Sequence, residues 1–258
     1  MTPVLTFDIE TVPDTEGIRR LLSLPAQMPA AEVAAIAFAQ RREKTGNDFL
    51  PLHLHRVVAI ACALRERDSF KVWSLGDPAD PEPVLVQRFF DGIDKYTPQL
   101  VSWNGGGFDL PVLHYRGMIH GIRAARYWDM GEDDRDFKWN NYISRYHSRH
   151  LDLMDLLSLY QGRATAPLNE IAQLLGLPGK LGLAGAKVWE TYQDGGIKAI
   201  RDYCETDVAN TYLIFLRFQL MRGALDETEH RRELDLVHGM LSRSQEAHWK
   251  QFVAAWKA

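Results

Sequence analysis

The chain has 258 residues, 46% hydrophobic and 25% charged, the composition of a folded globular protein with one large domain or two small ones. A net charge of -4 excludes a generally basic nucleic-acid-coating protein, though not an enzyme whose phosphate contacts are local or carried by metal ions. Two cysteines, Cys62 and Cys204, exclude a multi-bridge disulfide framework and a Cys-rich zinc module, and point to a reducing, cytoplasmic compartment.

The N-terminal MTPVLTFDIET has no basic segment leading into an apolar stretch, so it does not read as a signal peptide. No run approaches the about 18 apolar residues that suggest a membrane span. Val4–Glu10 follows Pro3 and reads as a strand. Helical stretches follow near Thr15–Leu24 and Ala30–Arg42. His55–Arg65 is a second strand; Val57–Leu64 within it is apolar on both faces, which places it inside a sheet. Asp68-Ser69 turns the chain into a third strand, Phe70–Leu75. A helix from Asp80 to Tyr96 carries Val84, Leu85, Phe89, Phe90 and Ile93 on its inner side. Leu100–Trp103 is a short buried strand, and Gly105-Gly106-Gly107 leads into a helix over Asp109–Ile119. Ala124–Trp128 reads as a fifth strand. Residues 129–149 have no clear period and form a long loop of the kind that carries function. Asp152–Tyr160, Leu168–Leu175, Ala186–Tyr192 and Gly196–Arg222 read as helices, and Glu227–Trp256 as a charged helical tail. A hairpin, then strand–helix–strand units, then helices make one α/β domain over residues 1–222 with a helical extension over 223–258.

Three elements carry chemistry. Asp8 and Glu10 are two apart on the first strand, so both carboxylates face one side. Such a pair is either the exposed face of an edge strand or a buried pair that needs a cation or a hydrogen-bond network. Asn104 to Asp109 spans a strand-to-helix junction. Asp109 there is either a helix cap or a functional acid, and the glycine run is either a turn or a phosphate cradle. It matches neither a Walker loop nor G-x-G-x-x-G, which makes a nucleotide cofactor a weak reading. Tyr203 and Asp207 are i and i+4 on one helix, about 5–6 Å apart at Cβ. Asp152 and Asp155 could be mistaken for a metal pair, but Asp152 suits a helix cap. Cys204 reads as a packed thiol.

In this order, D-x-E, N-x-x-x-F-D and Y-x-x-x-D resemble the DEDDy branch of the 3′–5′ exonucleases. TFDIET and YCETDV look closest to the stand-alone bacterial exonucleases related to the proofreading domain of family-B DNA polymerases. The segments Leu168–Ile171 and Leu175–Lys180 are also similar to that group. The branch that uses histidine would place it at position 202, which here is aspartate. The resemblance covers residues 3–215 and implies a ribonuclease-H-like α/β fold, a mixed five-stranded sheet flanked by helices.

The resemblance also implies a two-metal site. Two divalent ions about 3.5–4 Å apart acidify a water and clamp the scissile phosphate. Mg²⁺ or Mn²⁺ fits a set of carboxylates without Cys or His ligands. Asp8 is expected to bridge the ions, Glu10 and Asp207 to hold the nucleophile side, and Asp109 to serve the leaving-group side. Tyr203, with an ordinary pKa near 10, is a poor base and is expected to orient water. Ile9, Thr11, Asn104 and Phe108 are expected at the substrate. Arg145, His147, Arg149 and His150, with Lys138 and Trp139, are candidates for holding single-stranded backbone and stacking bases. The substrate expected is single-stranded nucleic acid, DNA ahead of RNA, with no membrane involved. An exoribonuclease and a catalytically silent nucleic-acid-binding module are the rival readings; retention of all four acids and the tyrosine speaks against the second.

Overall fold

The first strand sits in the middle of the sheet. In a computed structural model that describes residues 2–257, the strands are β1 (Val4–Pro13), β2 (His55–Glu66), β3 (Ser69–Ser74), β4 (Gln99–Ser102) and β5 (His150–Asp152). They form one sheet of order β3-β2-β1-β4-β5. β1–β2 and β2–β3 pair antiparallel, while β1–β4 and β4–β5 pair parallel. The hairpin is the one expected from the spacing, and the mixed sheet is the architecture that the motifs implied; the crossover expected to end at Ala124–Trp128 runs on to β5 instead. β2 is buried along nearly its whole length, as its continuous apolar run requires.

The helices are α1 (Thr15–Leu21), α2 (Ala30–Thr45), α3 (Glu82–Tyr96), α4 (Asp109–His120), α5 (Ala125–Trp128), α6 (Leu153–Leu157), α7 (Leu168–Leu174), α8 (Val188–Gln193), α9 (Ile197–Met221), α10 (Glu227–Leu241) and α11 (Ala247–Ala255). Alternation along β1 decides which layer each residue meets. Leu5, Phe7 and Ile9 join the core with Phe89 and Ile93 of α3 and Leu110 and Leu113 of α4. Val4 and Val12, on the other face, join the core built on α9. Asp8 and Glu10 share that second face, so they point toward α9. α10 and α11 add Val237, Leu241, Trp249 and Phe252 to the same core. α1 and α2 fill the link between β1 and β2 around Ile18, Val33 and Ala37.

The fifth strand differs from expectation. Ala124–Trp128 is not a strand: residues 125–128 form the single turn α5. Tyr127 there stacks on Tyr142 at 5.5 Å and 8°, so the aromatic pattern reflects a buried cluster rather than a pleat. The edge position belongs instead to His150–Asp152, which pairs residue for residue with Leu100–Ser102. The helix read from Asp152 is correspondingly shorter and starts at Leu153. The C-terminal tail is helical, as expected, and consists of the two helices α10 and α11. Within residues 129–149, Asp129 accepts the N–H groups of Gly131, Glu132 and Asp134, and Arg135–Lys138 makes a short 3-10 turn.

Candidate active site: a cleft of buried acids

Three chain segments meet at one end of the sheet. β1 contributes Asp8 and Glu10. β4 ends at Ser102, and beyond it the N–H of Ile9 is taken by Asp109 Oδ1 at 3.0 Å. Asp109 is the first residue of α4 and does not cap it; its carboxylate binds β1 instead. α9 lays Tyr203 and Asp207, one turn apart, over the same point. The result is a cleft of about 300 Å³ lined by Asp8, Glu10, Asp109, Tyr203 and Asp207, with Asn104, Phe108 and Lys180 at its sides.

Glu10 is 8%, Asp109 3%, Asp207 5% and Tyr203 4% exposed; Asp8 keeps more of its surface open to the cleft. Burial and the repulsion of Asp109, Glu10 and Asp207 push the Asp8 carboxyl well above the ordinary carboxylate range. Burial and Asp207 do the same to Glu10. Burial raises Asp109 to about 7, although two backbone N–H groups pull it down. Burial raises Asp207 to about 6 against the opposing pull of Lys180 and the Tyr203 hydroxyl. Tyr203 itself is pushed above its usual value by burial and the surrounding acids, so its hydroxyl stays protonated.

The charge in this cleft does not balance. Among the described residues the paired cation is Lys180, whose Nζ lies 3.8 Å from Asp207 Oδ2. Asp207 Oδ1 is buried without a hydrogen-bond partner. Asp8, Glu10 and Cys204 offer ligand atoms within 4.8 Å of one another. An orphaned oxygen and excess buried carboxylate fit one or more divalent cations with oxygen ligands. Cys204 is a buried thiol, as expected; Sγ contacts the Asp8 carbonyl at 3.4 Å, and burial raises its pKa well above the usual value.

A family profile described as "Predicted 3'-5' exonuclease related to the exonuclease domain of PolB" matches residues 47–256. The chain belongs to this family. The matched stretch holds the Asn104–Asp109 junction, Lys180, Tyr203 and Asp207; β1 lies before it. No curated protein matches the chain. Among solved structures, the family B DNA polymerase from the hyperthermophilic archaeon Pyrobaculum calidifontis is similar in fold, with a TM-score of 0.51 and 17% identity. That similarity covers 99% of this chain and 27% of the polymerase. The PolB-related protein has no helix among its described residues that is long and apolar enough to cross a membrane.

The residues expected at the substrate are not all brought to the acids. Ile9, Asn104 and Phe108 line the cleft. The Phe108 ring packs on His55 at 5.3 Å and on Phe49 at 5.8 Å. Thr11 Oγ1 donates to His55 Nδ1 at 2.8 Å. That imidazole is neutral, because burial lowers its pKa, and Nε2 donates to Leu50 O. Arg145 lies outside the cleft, 3.4 Å from Asp155. Arg149 is engaged elsewhere: its guanidinium covers Phe137 at 4.0 Å, and Nε donates to Asn140 O at 2.6 Å. His150 is no cation at neutral pH, because burial lowers it to about 4; Nε2 contacts Ser102 Oγ.

Three contributors were not legible as such in the sequence. Lys180 sits on the loop before α8. Asn210 of α9 clamps that loop, accepting from Gly179 N at 3.1 Å and donating to Gly179 O at 3.0 Å. Asn210 is three residues after Asp207 on the same helix, a spacing that could have flagged it. Asp152 caps α6 as read, and also accepts from Asn104 N at 2.9 Å and Gly106 N at 2.8 Å. It thereby fixes the turn that presents Asp109.

Proposed function

We propose that this PolB-related protein is a DEDDy 3′–5′ exonuclease of the stand-alone bacterial type. It removes nucleotides from the 3′ end of single-stranded nucleic acid, DNA in preference to RNA, in the cytoplasm, using two Mg²⁺ or Mn²⁺ ions. The observation that carries this reading is the convergence of four carboxylates and a tyrosine on one cleft that is left short of positive charge. Residues 1–222 form the nuclease domain in this reading and 223–258 its helical extension.

Asp8, Glu10, Asp109 and Asp207 would hold the ions. Bound there, divalent ions supply an activated water and neutralise the charge that develops on the leaving oxygen. The protein's own groups do the rest. Tyr203 keeps its proton, so it orients the attacking water by a hydrogen bond and does not remove a proton from it. Lys180 lies beside Asp207 and reduces the net negative charge that an incoming phosphate meets. Ile9, Asn104 and Phe108 line the space for the terminal nucleotide, with the exposed Phe49 ring extending the Phe108 surface. Thr11 does not line this cleft; its hydroxyl is tied to His55, on which the Phe108 ring packs.

The test uses 5′-labelled DNA and RNA strands of the same sequence. A ladder shortening from the 3′ end is expected, faster on DNA, absent in excess chelator and restored by Mg²⁺ or Mn²⁺. A 3′-phosphate cap or a circular strand is expected to block it. Efficient cutting of circular strands would show an endonuclease, and activity in chelator would exclude the metal-dependent reading.

A further inference from the structure

Beside the acid cleft lies a larger groove, about 770 Å³ in volume against about 300 Å³ for the cleft. The two share a wall, the turn from Asn104 to Asp109. Asn104, Phe108 and Asp109 face the cleft, whereas Gly106, Leu110 and Pro111 face the groove. The glycine run explains how low that wall is. A Cβ on Gly105 would stand 2.3 Å from Ser102 Oγ, and one on Gly107 2.4 Å from Asn104 Oδ1, so packing excludes side chains at both. Gly106 is exposed at the crest. Its N–H and that of Asn104 are already bound to Asp152, so the run is not a phosphate cradle. It is a bare stretch of backbone over which a chain can pass from cleft to groove.

The groove is lined by exposed aromatic rings and two arginines. Tyr146 is 82% and Trp128 48% exposed. Leu159 and Tyr160 both hold a left-handed backbone, φ 53° and 59°, which residues of this kind seldom adopt. That strained turn sets the Tyr160 ring under the Arg145 guanidinium at 4.4 Å. Arg222, from the end of α9, also lines the groove. Two acids are present, but neither is free. Asp152 accepts four backbone N–H groups, and Asp155 is paired with Arg145. His114 and His150 carry no charge at neutral pH, since burial lowers each to about 4.

We propose that this groove holds the unpaired strand upstream of the scissile bond, its bases on Trp128, Tyr146 and Tyr160 and its phosphates on Arg145 and Arg222. The strand crosses Gly106 to reach the acids. Exposed rings interleaved with arginine are the chemistry that takes single strands of any sequence; paired bases in a duplex cannot present their faces to them. The assignment rests on the exonuclease reading for the direction of the strand, and it makes the enzyme a reader of several nucleotides rather than of the terminal one alone.

The test is the binding of 5′-labelled oligothymidines of increasing length, followed by fluorescence anisotropy in excess chelator so that nothing is cut. Affinity is expected to rise with length beyond the dinucleotide and then level off. Tyr146→Ala, at a site too exposed to disturb folding, is expected to weaken long strands by about tenfold and to leave the dinucleotide unchanged. Arg145→Ala is expected to reduce the salt dependence for long strands. The groove assignment is overturned if Tyr146→Ala binds long strands like the parent, if affinity does not depend on length, or if blunt duplex binds as tightly as single strand. Because binding is read without catalysis, the two readings fail separately. A protein that trims 3′ ends yet ignores length loses the groove and keeps the nuclease, and one that binds by length but trims nothing does the reverse.

Discussion

Arg116 and Asp207 are both buried charges, 3% and 5% exposed, in opposite kinds of surroundings. Arg116, on α4, donates to Asp14 at 2.6 Å and to Glu82 at 2.7 Å. Glu82 also accepts from Val57 N at 2.7 Å and contacts His120. The groups answer one another, and together they tie the end of β1 and the start of α3 to the helix that opens with Asp109. Around Asp207 there are three more carboxylates, one lysine at 3.8 Å and an oxygen with no partner. A closed network serves the fold; an open one is destabilising until something from solution completes it. That contrast separates structural from functional charge here better than burial alone does.

The comparison breaks most sharply at Asp8. Asp8→Ala is expected to bring exonuclease activity to background. In chelator the same variant should melt at or above the parent's temperature, because a repelling charge has gone. A variant that keeps full activity would place the chemistry elsewhere. Tyr203→Phe comes next, with a rate loss of about 10²–10⁴-fold and divalent-ion affinity, followed by calorimetry, close to the parent's. A rate equal to the parent's would reduce Tyr203 to a packing residue.

On the closed side, Arg116→Met leaves Asp14 and Glu82 without their cation. Urea unfolding should then show a loss of about 3–5 kcal/mol, with or without divalent ions. A negligible loss would mean that the two clusters do not differ in the way argued.

The smallest effect is a pH ramp. Asp109 at about 7 and Asp207 at about 6 bind protons more tightly in the folded state than in the unfolded chain, where carboxylates titrate near 4. Their contribution to stability is therefore complete below about pH 4 and is lost as pH rises through about 6–7. Without metal the thermal midpoint should be lower at about pH 8 than at about pH 5. Saturating Mg²⁺ should flatten or reverse the difference. An unchanged ramp in Mg²⁺ would argue against ion binding by these acids.

Much of the fold was legible because its signals are local. β2 carries eight apolar residues in succession, and α3 has a clear inner side. β5 was not, because three residues, one of them His and one Asp, carry no period, and their place is fixed only by pairing with β4. Ala124–Trp128 misled for the converse reason: aromatic residues favour strands, but here they fill a cluster around Tyr142. The acids and Tyr203 could be singled out because their three motifs, taken in order, resemble the DEDDy exonucleases; strand alternation and i, i+4 spacing by themselves only put Asp8 with Glu10, and Tyr203 with Asp207, on shared faces. Lys180 has no such spacing to the acids; a loop clamped by Asn210 delivers it. Arg145 and Arg149 stand four apart in one loop and looked alike, yet one faces the groove and the other covers Phe137.

The way α9 lies across β1 also sets an order of events during folding. Asp8 and Asp207 are 199 positions apart (207 − 8), and their meeting is among the most distant in the chain. The β2–β3 hairpin and the helix α3 need only near neighbours and can form early, whereas contacts of long sequence separation come slowly. Asp207 therefore adds its repulsion only when α9 docks, whereas Asp109 of α4 and Glu10 of the same strand oppose the Asp8 charge without it. A chain stalled before that docking has its first two acids and its last one in separate places, and lacks the cleft altogether.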